Sequence, residues 1–316
     1  MGLYKKFRKY VTGRRMEWPP RFREGMELGE INVRDPFIVN CGDGYLMTGT
    51  IYHYNYSDSG TCVGWKSADL KSWDGPFTLI DGKNSVYSDF WAPEIHKVGG
   101  RFFLLVTLRP AGGKRGVYLF ISDRADGGYK PAARLTPEDE NCLDGTIYAK
   151  DGKIYFTYCR EYTDVKDGQI LSSVFDEKDF DIKPCEMNEM PCIARSGKLL
   201  FKGSDNTFRP TLKKQKVTDG PFYFEKDGGL YLLWSTHLAG GTYALLAAKS
   251  VNGEPDGEFT QLGAVYEKNG GHAMVFTDRE GADMLVLHAP NAREILSGAV
   301  EHAVILPLGK IHIKQN

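Results

Sequence analysis

Five stretches of the chain put an ionisable side chain at the head of a short extended run. They are Arg34-Asp35-Pro36-Phe37, Trp91-Ala92-Pro93-Glu94, Leu143-Asp144-Gly145-Thr146, Thr218-Asp219-Gly220-Pro221 and Gly271-His272-Ala273-Met274. A single Asp before Gly or Pro is ordinary turn chemistry. An acid at the same place in four of five copies means more if the chain gathers the copies. Carboxylates at close range raise one another's pKa and call for shared protons or a bound cation. Two carboxyls whose pKa values are driven apart can divide the work, one protonating a leaving oxygen and the other activating water, as glycosidic bond hydrolysis requires.

The elements that must position these groups repeat as well. A glycine turn leading into an alternating aromatic-aliphatic strand occurs at Gly42-Asp43-Gly44-Tyr45, Gly99-Gly100-Arg101-Phe102, Asp151-Gly152-Lys153-Ile154, Asp227-Gly228-Gly229-Leu230 and Glu280-Gly281-Ala282-Asp283. Each turn follows one of these five strands, so each pair reads as a β-hairpin. A looser Ser/Asp/Gly element follows several copies, most clearly over Ser67–Phe77, with echoes at Ser122–Tyr129 and Ser250–Phe259. A repeat of about 50 to 75 residues fits one four-stranded propeller blade with its loops. The expectation is an all-β, five-bladed β-propeller forming a single domain over residues 31–316, preceded by a basic arm over residues 1–30 that helps close the first blade. In such a ring the first strand of each blade lines the central channel, so the heads of the five strands meet at one end of the axis. Residues 292–306 can be read as a helix, but Ala303–Leu308 also reads as a strand, one that would join the first blade. The longest insertion, Tyr162 to Val217, would shape the channel mouth.

Composition narrows the function classes. Among 316 residues, 40 are basic and 41 acidic, which excludes a nucleic-acid partner held by bulk charge. No run approaches the roughly 18 apolar residues of a membrane helix. Eight of the basic residues and two of the acidic ones fall in residues 1–24, and Leu3, Phe7 and Val11 recur at helical spacing there. A short solvated helix or arm on the domain edge accounts for that stretch. The six cysteines form no Cys-x-x-Cys pair and mostly sit in apolar runs, so free, inert thiols are expected. The first residues lack an apolar signal core, which points to a cytoplasmic location and leaves an exported mature form compatible.

Taken together, the motifs Arg34-Asp35-Pro36-Phe37, Phe90-Trp91-Ala92-Pro93-Glu94, Leu143-Asp144-Gly145-Thr146, Thr218-Asp219-Gly220-Pro221-Phe222 and Gly270-Gly271-His272-Ala273-Met274 resemble those of glycoside hydrolase family 43, the five-bladed propellers acting on arabinose- and xylose-containing glycans. The resemblance spans residues 31–292. It implies an inverting glycosidase, with α-L-arabinofuranosidase ahead of β-xylosidase and endo-arabinanase. Asp35 would be the base, Asp144 the residue that orients and tunes the acid, and Asp219 the acid. The family's acid stands in Glu-Gly-Pro, whereas this chain has Asp219-Gly220-Pro221, one methylene shorter. Either the site is built tighter, Glu94 supplies the proton, or the protein binds glycans with impaired turnover. His272 matches a position that helps hold an ion or water on the axis; no cofactor is required, and calcium is the ion implied. A buried, hydrogen-bonded histidine explains His272 equally well. Phe90 and Trp91 are candidates to stack on a sugar face, with Glu94, His288 and Arg293 as further substrate contacts; the partner implied is an oligo- or polysaccharide. Core packing is the competing explanation for both aromatic residues.

Overall fold

The protein is described here by a computed structural model, which covers residues 21–51, 60–82, 85–206, 216–291, 301–311 and 313. The basic stretch up to residue 20 and Arg293 lie outside these described residues. The chain builds five antiparallel sheets in sequence order. Blade I contains β1 (Arg23–Met26), β2 (Arg34–Asn40), β3 (Tyr45–Thr50), β4 (Thr61–Ser67) and β5 (Trp73–Asp81), with β1 on the outer edge against β5. Blade II is β6 (Tyr87–Val98), β7 (Arg101–Pro110), β8 (Gly116–Ser122) and β9 (Lys130–Arg134). Blade III is β10 (Cys142–Lys150), β11 (Lys153–Arg160), β12 (Gln169–Asp176) and β13 (Lys198–Lys202). Blade IV is β14 (Asp219–Lys226), β15 (Gly229–His237), β16 (Tyr243–Ser250) and β17 (Phe259–Tyr266). Blade V is β18 (Gly271–Thr277), β19 (Asp283–Ala289) and β20 (His302–Pro307). The innermost strands β2, β6, β10, β14 and β18 pack in succession, and β18 returns to β2, which closes a five-bladed propeller.

Local chemistry explains the hairpins. Gly99-Gly100, Asp151-Gly152 and Asp227-Gly228 have positive φ at both turn positions, the two-residue turn whose twist suits antiparallel strands. The Ser67, Ser122 and Ser250 elements are the turns between third and fourth strands of their blades. There the serine hydroxyl accepts the Leu70 N–H at 2.9 Å in blade I, accepts the Arg124 N–H at 3.1 Å in blade II and donates to the Glu254 carbonyl at 2.9 Å in blade IV. Trp65, Trp73 and Trp234 are buried within the sheets. All six cysteines are unpaired, and burial pushes the Cys62 and Cys142 thiols up.

Two expectations about connections are corrected. The strand near the C-terminus, β20, pairs with β19 and stays in blade V rather than joining blade I. The long insertion, Tyr162 to Val217, itself holds β12 and β13 of blade III, so part of it is blade rather than connecting loop. Its segment around Cys185–Ile193 runs along β9 of blade II, where Arg134 N–H donates to the Pro191 carbonyl at 2.8 Å and Ile193 N–H to the Arg134 carbonyl at 2.9 Å. An outer strand with free edge groups needs a cover, and the insertion provides one.

Candidate active site

Every inner strand carries the same irregularity near its start. The register of β2 against β3 jumps between Arg34 and Phe37, that of β6 against β7 between Trp91 and Glu94, and that of β10 against β11 between Leu143 and Thr146. Blades IV and V repeat the jump between Asp219 and Phe222 and between Gly271 and Met274. Two residues face one partner at each place, a β-bulge. The first residues of these bulges are Asp35, Ala92, Asp144, Gly220 and His272, and all five adopt positive φ, between 44° and 54°. For the four that are not glycine this is a costly conformation that persists only where surroundings enforce it, and such positions gather at functional sites.

This alignment corrects the sequence register. The equivalent positions hold Asp35, Ala92, Asp144, Gly220 and His272, not an acid in four of five blades. Asp219 lies one residue before its bulge and Glu94 two residues after the start of its own. The shared prolines Pro36, Pro93 and Pro221, each second in its bulge, are the signal that would have set Ala92 and Gly220 in register.

Asp35, Asp144 and Asp219 do come together, through His272. The His272 Nδ1 lies 3.2 Å from Asp35 Oδ1 and 3.7 Å from Asp144 Oδ2. Asp144 Oδ2 accepts the backbone N–H of Gly220 at 3.0 Å, one residue from Asp219. Asp219 Oδ2 accepts the hydroxyl of Tyr243 at 3.0 Å. Gly220 is needed for this approach, since a Cβ there would stand 2.7 Å from the His272 ring, in addition to the strain of its φ of +52°. Asp35 and Asp144 are buried at 8% and 5% exposure, whereas Asp219 is partly open to solvent.

The electrostatics divide these acids. Burial alone would raise the pKa of Asp35, but His272, the Arg34 guanidinium and the Thr50 hydroxyl outweigh it and hold the group at about 2. Thr50 donates to Asp35 Oδ2 at 2.7 Å, and the Arg34 Nε is 3.9 Å from Oδ1. Asp144 moves the opposite way, raised to about 8 by burial and by Asp219 and Asp35 despite His272. Burial likewise raises Asp219, to about 6, against the pull of His272 and the Tyr243 hydroxyl. The Asp144–Asp219 pair therefore holds one proton near neutral pH, and that proton belongs to the pair rather than to either residue. Burial would lower His272, yet the surrounding carboxylates raise it above the usual imidazole value. The arrangement supplies one ionised carboxylate and one proton-bearing carboxyl pair in a single pit, the requirement for acid–base cleavage of an acetal.

Several substrate contacts expected from sequence are placed elsewhere. Phe90 is 1% exposed and packs in the core with Gly82 pressed against its ring, so it offers no face to a sugar. Successive strand residues point to opposite faces, and its neighbour Trp91 is the one that stays partly open. The Arg115 guanidinium lies 4.3 Å from the Trp91 ring centre and is itself fixed by Asp89 at 3.1 Å and by Glu161. Glu94 is buried with its Oε2 2.8 Å from His96 Nε2. His288 is fully buried: its Nδ1 accepts the Asp35 backbone N–H at 3.2 Å, and its ring stacks on Tyr243. It is a clamp on the residue read as the base rather than a substrate contact. Burial and Arg34 keep His288 well below the usual imidazole pKa, so it is neutral and can accept that bond. Among the described residues, no group of three or more His, Cys, Asp or Glu side chains is arranged to hold a metal ion. The His272 Nδ1 is turned to the carboxylates of Asp35 and Asp144.

Residues missed by sequence reasoning include Thr50, Arg115, Tyr162 and Tyr243. Tyr162 stands close enough to Asp219 for their charges to interact.

The sequence profile of glycosyl hydrolases family 43 matches residues 29–308. No curated protein matches the chain. Among solved structures, an endo-arabinase from Bacteroides thetaiotaomicron VPI-5482 is 30% identical, with a TM-score of 0.77 over 93% of this chain and 99% of that one. An alpha-L-arabinofuranosidase from Lactobacillus brevis, 19% identical, superposes with a TM-score of 0.66 over 87% of this chain and 90% of its own. An endo-1,4-beta-xylanase from Bacteroides thetaiotaomicron VPI-5482, also 19% identical, gives 0.63 over 88% and 90%. The latter two show the shared fold.

Proposed function

The chain belongs to glycosyl hydrolase family 43 and is a glycosidase, and from that premise we infer that it cleaves arabinofuranosyl linkages of plant polysaccharides or the oligosaccharides derived from them, with inversion at the anomeric carbon. The observation that carries the reading is the pairing in one pit of an ionised Asp35 with a proton-holding Asp144–Asp219 pair. The likeness to an endo-arabinase at 30% identity supports an arabinan-type substrate over a xylan.

In the proposed reaction Asp35 takes a proton from water as its oxygen bonds to the anomeric carbon. The bond from that carbon to the departing oxygen breaks, and Asp219 gives that oxygen a proton. Asp144 keeps the pair's proton available, and exchange with solvent returns both groups to their starting states. The short Asp219 side chain is steadied by the Tyr243 hydroxyl and faces solvent more than its partners do, which suits delivery to a leaving group. Trp91, backed by Arg115, is the aromatic face available to a sugar ring.

Substitution of Asp219 for the family's Glu favours a second reading, a glycan-binding propeller without turnover. Incubation with arabinan, arabinoxylan and aryl arabinosides or xylosides, followed by reducing-sugar assay and product sizing, separates the two. Arabinose or arabino-oligosaccharides are expected, with the anomeric configuration of the first product inverted. Binding to arabinan without any release would leave the second reading standing, and release from xylan alone would overturn the choice of sugar.

A further inference from the structure

The bulges are linked around the axis by a ring of hydrogen bonds that crosses from each blade to the next. The acceptors sit on the second strands, each opposite the residue that precedes its own blade's bulge. Thr50 pairs with Arg34, Thr107 with Trp91, Ser235 with Asp219 and His288 with Gly271. The Thr50 Oγ1 accepts the Ala92 N–H at 2.7 Å, Thr107 Oγ1 the Asp144 N–H at 3.0 Å, Ser235 Oγ the His272 N–H at 2.7 Å and His288 Nδ1 the Asp35 N–H at 3.2 Å. In each case the N–H belongs to the first bulge residue of the following blade.

The fifth ring position is Cys159, which pairs with Leu143 on β11. By the pattern it should take the N–H of Gly220. It does not, and Asp144 Oδ2 takes that N–H instead. A thiol is a weak acceptor compared with a hydroxyl or an imidazole nitrogen. Cys159 is fully buried in the apolar cluster with Leu143, Ile170 and Trp234, with the Thr218 hydroxyl set against its sulfur, and burial keeps its thiol protonated. It therefore cannot compete for a backbone donor.

We propose that Cys159 is a positioning residue for the acid half of the site: by leaving the fifth ring bond unmade, it hands the Gly220 N–H to Asp144 and so ties that carboxylate to the strand that carries Asp219. In the other four junctions the ring acceptor joins blade to blade. At this junction the join is made by a carboxylate of the reactive pit. The proposal rests on the roles assigned above to Asp144 and Asp219.

The test compares Cys159→Ser with Cys159→Ala. Serine places at this position the hydroxyl that Ser235 uses at the next junction, so it should capture the Gly220 N–H and deprive Asp144 of the donor. The upper limb of the kcat/KM pH profile should then move to higher pH by about one unit, the worth of a hydrogen bond to a charged group. Alanine removes the sulfur without supplying an acceptor, so its profile should keep the wild-type upper limb. The Gly220 amide, followed by NMR in protein labelled with 15N-glycine, reads the same bond without turnover. Its proton shift should titrate with Asp144 in the wild type and in Cys159→Ala, and lose most of that response in Cys159→Ser. A wild-type amide that ignores the titration of Asp144 would overturn the proposal, as would an equal response in both variants. Absence of glycosidase activity would refute the assigned reaction, while the amide titration would still decide the role of Cys159.

Discussion

Asp35 and Asp144 occupy the same bulge position in blades I and III, share the same positive φ and are buried to nearly the same degree. Their carboxyls nevertheless move in opposite directions, to about 2 and about 8. The fold therefore delivers the groups but does not assign their roles. Asp35 is surrounded by groups that favour its charge: the Thr50 hydroxyl that donates to it, the guanidinium of Arg34 and the ring of His272. Asp144 receives one backbone N–H, lies farther from the His272 ring at 3.7 Å and faces two other carboxylates. One position is dressed to stay ionised and the other is crowded to hold a proton, the division that acid–base hydrolysis needs.

The strongest way to break this comparison is to remove the charge that the first environment protects. Asp35→Asn should lower kcat by about 10³-fold or more, within the range by which a general base accelerates a reaction, or beyond it. Far-UV circular dichroism should be unchanged, because Asn keeps the size of the side chain. Near-wild-type turnover in this variant would remove Asp35 from its role.

On the other side of the pit, Asp219→Asn should cost about 10²–10³-fold with polysaccharide substrates. The loss should be much smaller with aryl glycosides whose leaving group needs no proton. Equal losses on both substrate types would mean that Asp219 does not deliver the proton. Asp219→Glu should retain activity, since it restores the family's side-chain length.

Much of this was legible in the sequence. The five hairpins announced themselves through glycine turns, and Asp35 and Asp144 stood out because Asp before Pro or Gly is easily seen. The bulge register is hidden because an acid lies at or beside the strand head in four of five copies; aligning Pro36, Pro93 and Pro221 places Ala92 and Gly220 at the positions given to Glu94 and Asp219. Thr50, Thr107, Ser235 and Tyr243 were beyond reach for another reason. Each sits in an apolar strand where it reads as core, and its partner lies 24 to 42 residues away in the chain. Core packing for Phe90 follows from strand alternation, which lets only one of Phe90 and Trp91 face the site.

The raised pKa of Asp144 also has a consequence for stability. Its folded value of about 8 exceeds an unfolded value of about 3.9. The native state is thus favoured by this group below about pH 4 and loses that contribution as pH rises through about 8. Asp144→Asn should unfold at a higher temperature than the wild type at pH 8, by several degrees. The difference should fade as pH approaches about 4, where both side chains are neutral. The opposite shift applies to Asp35, whose contribution to stability is present above its unfolded value and disappears as pH falls toward about 2. Thermal scans that show Asp144→Asn less stable at pH 8 would contradict the repulsion ascribed to the pair.

The smallest effect sharpens the contrast most, because it touches one environment through a residue that borders both. Tyr243 donates to Asp219 Oδ2 at 3.0 Å while its ring stacks on His288, the clamp behind Asp35. Tyr243→Phe deletes the donor and keeps the ring. The ionised form of Asp219 then loses a stabilising partner, so the upper limb of the pH profile should move toward higher pH by about half a unit to one unit. Turnover should fall by about tenfold or less, reflecting a carboxyl held less firmly for its task. The lower limb, set by Asp35 and its own donors, should stay where it is. Movement of both limbs together would mean that the two halves of the pit titrate as one network, and that the separation between base and acid environments does not hold.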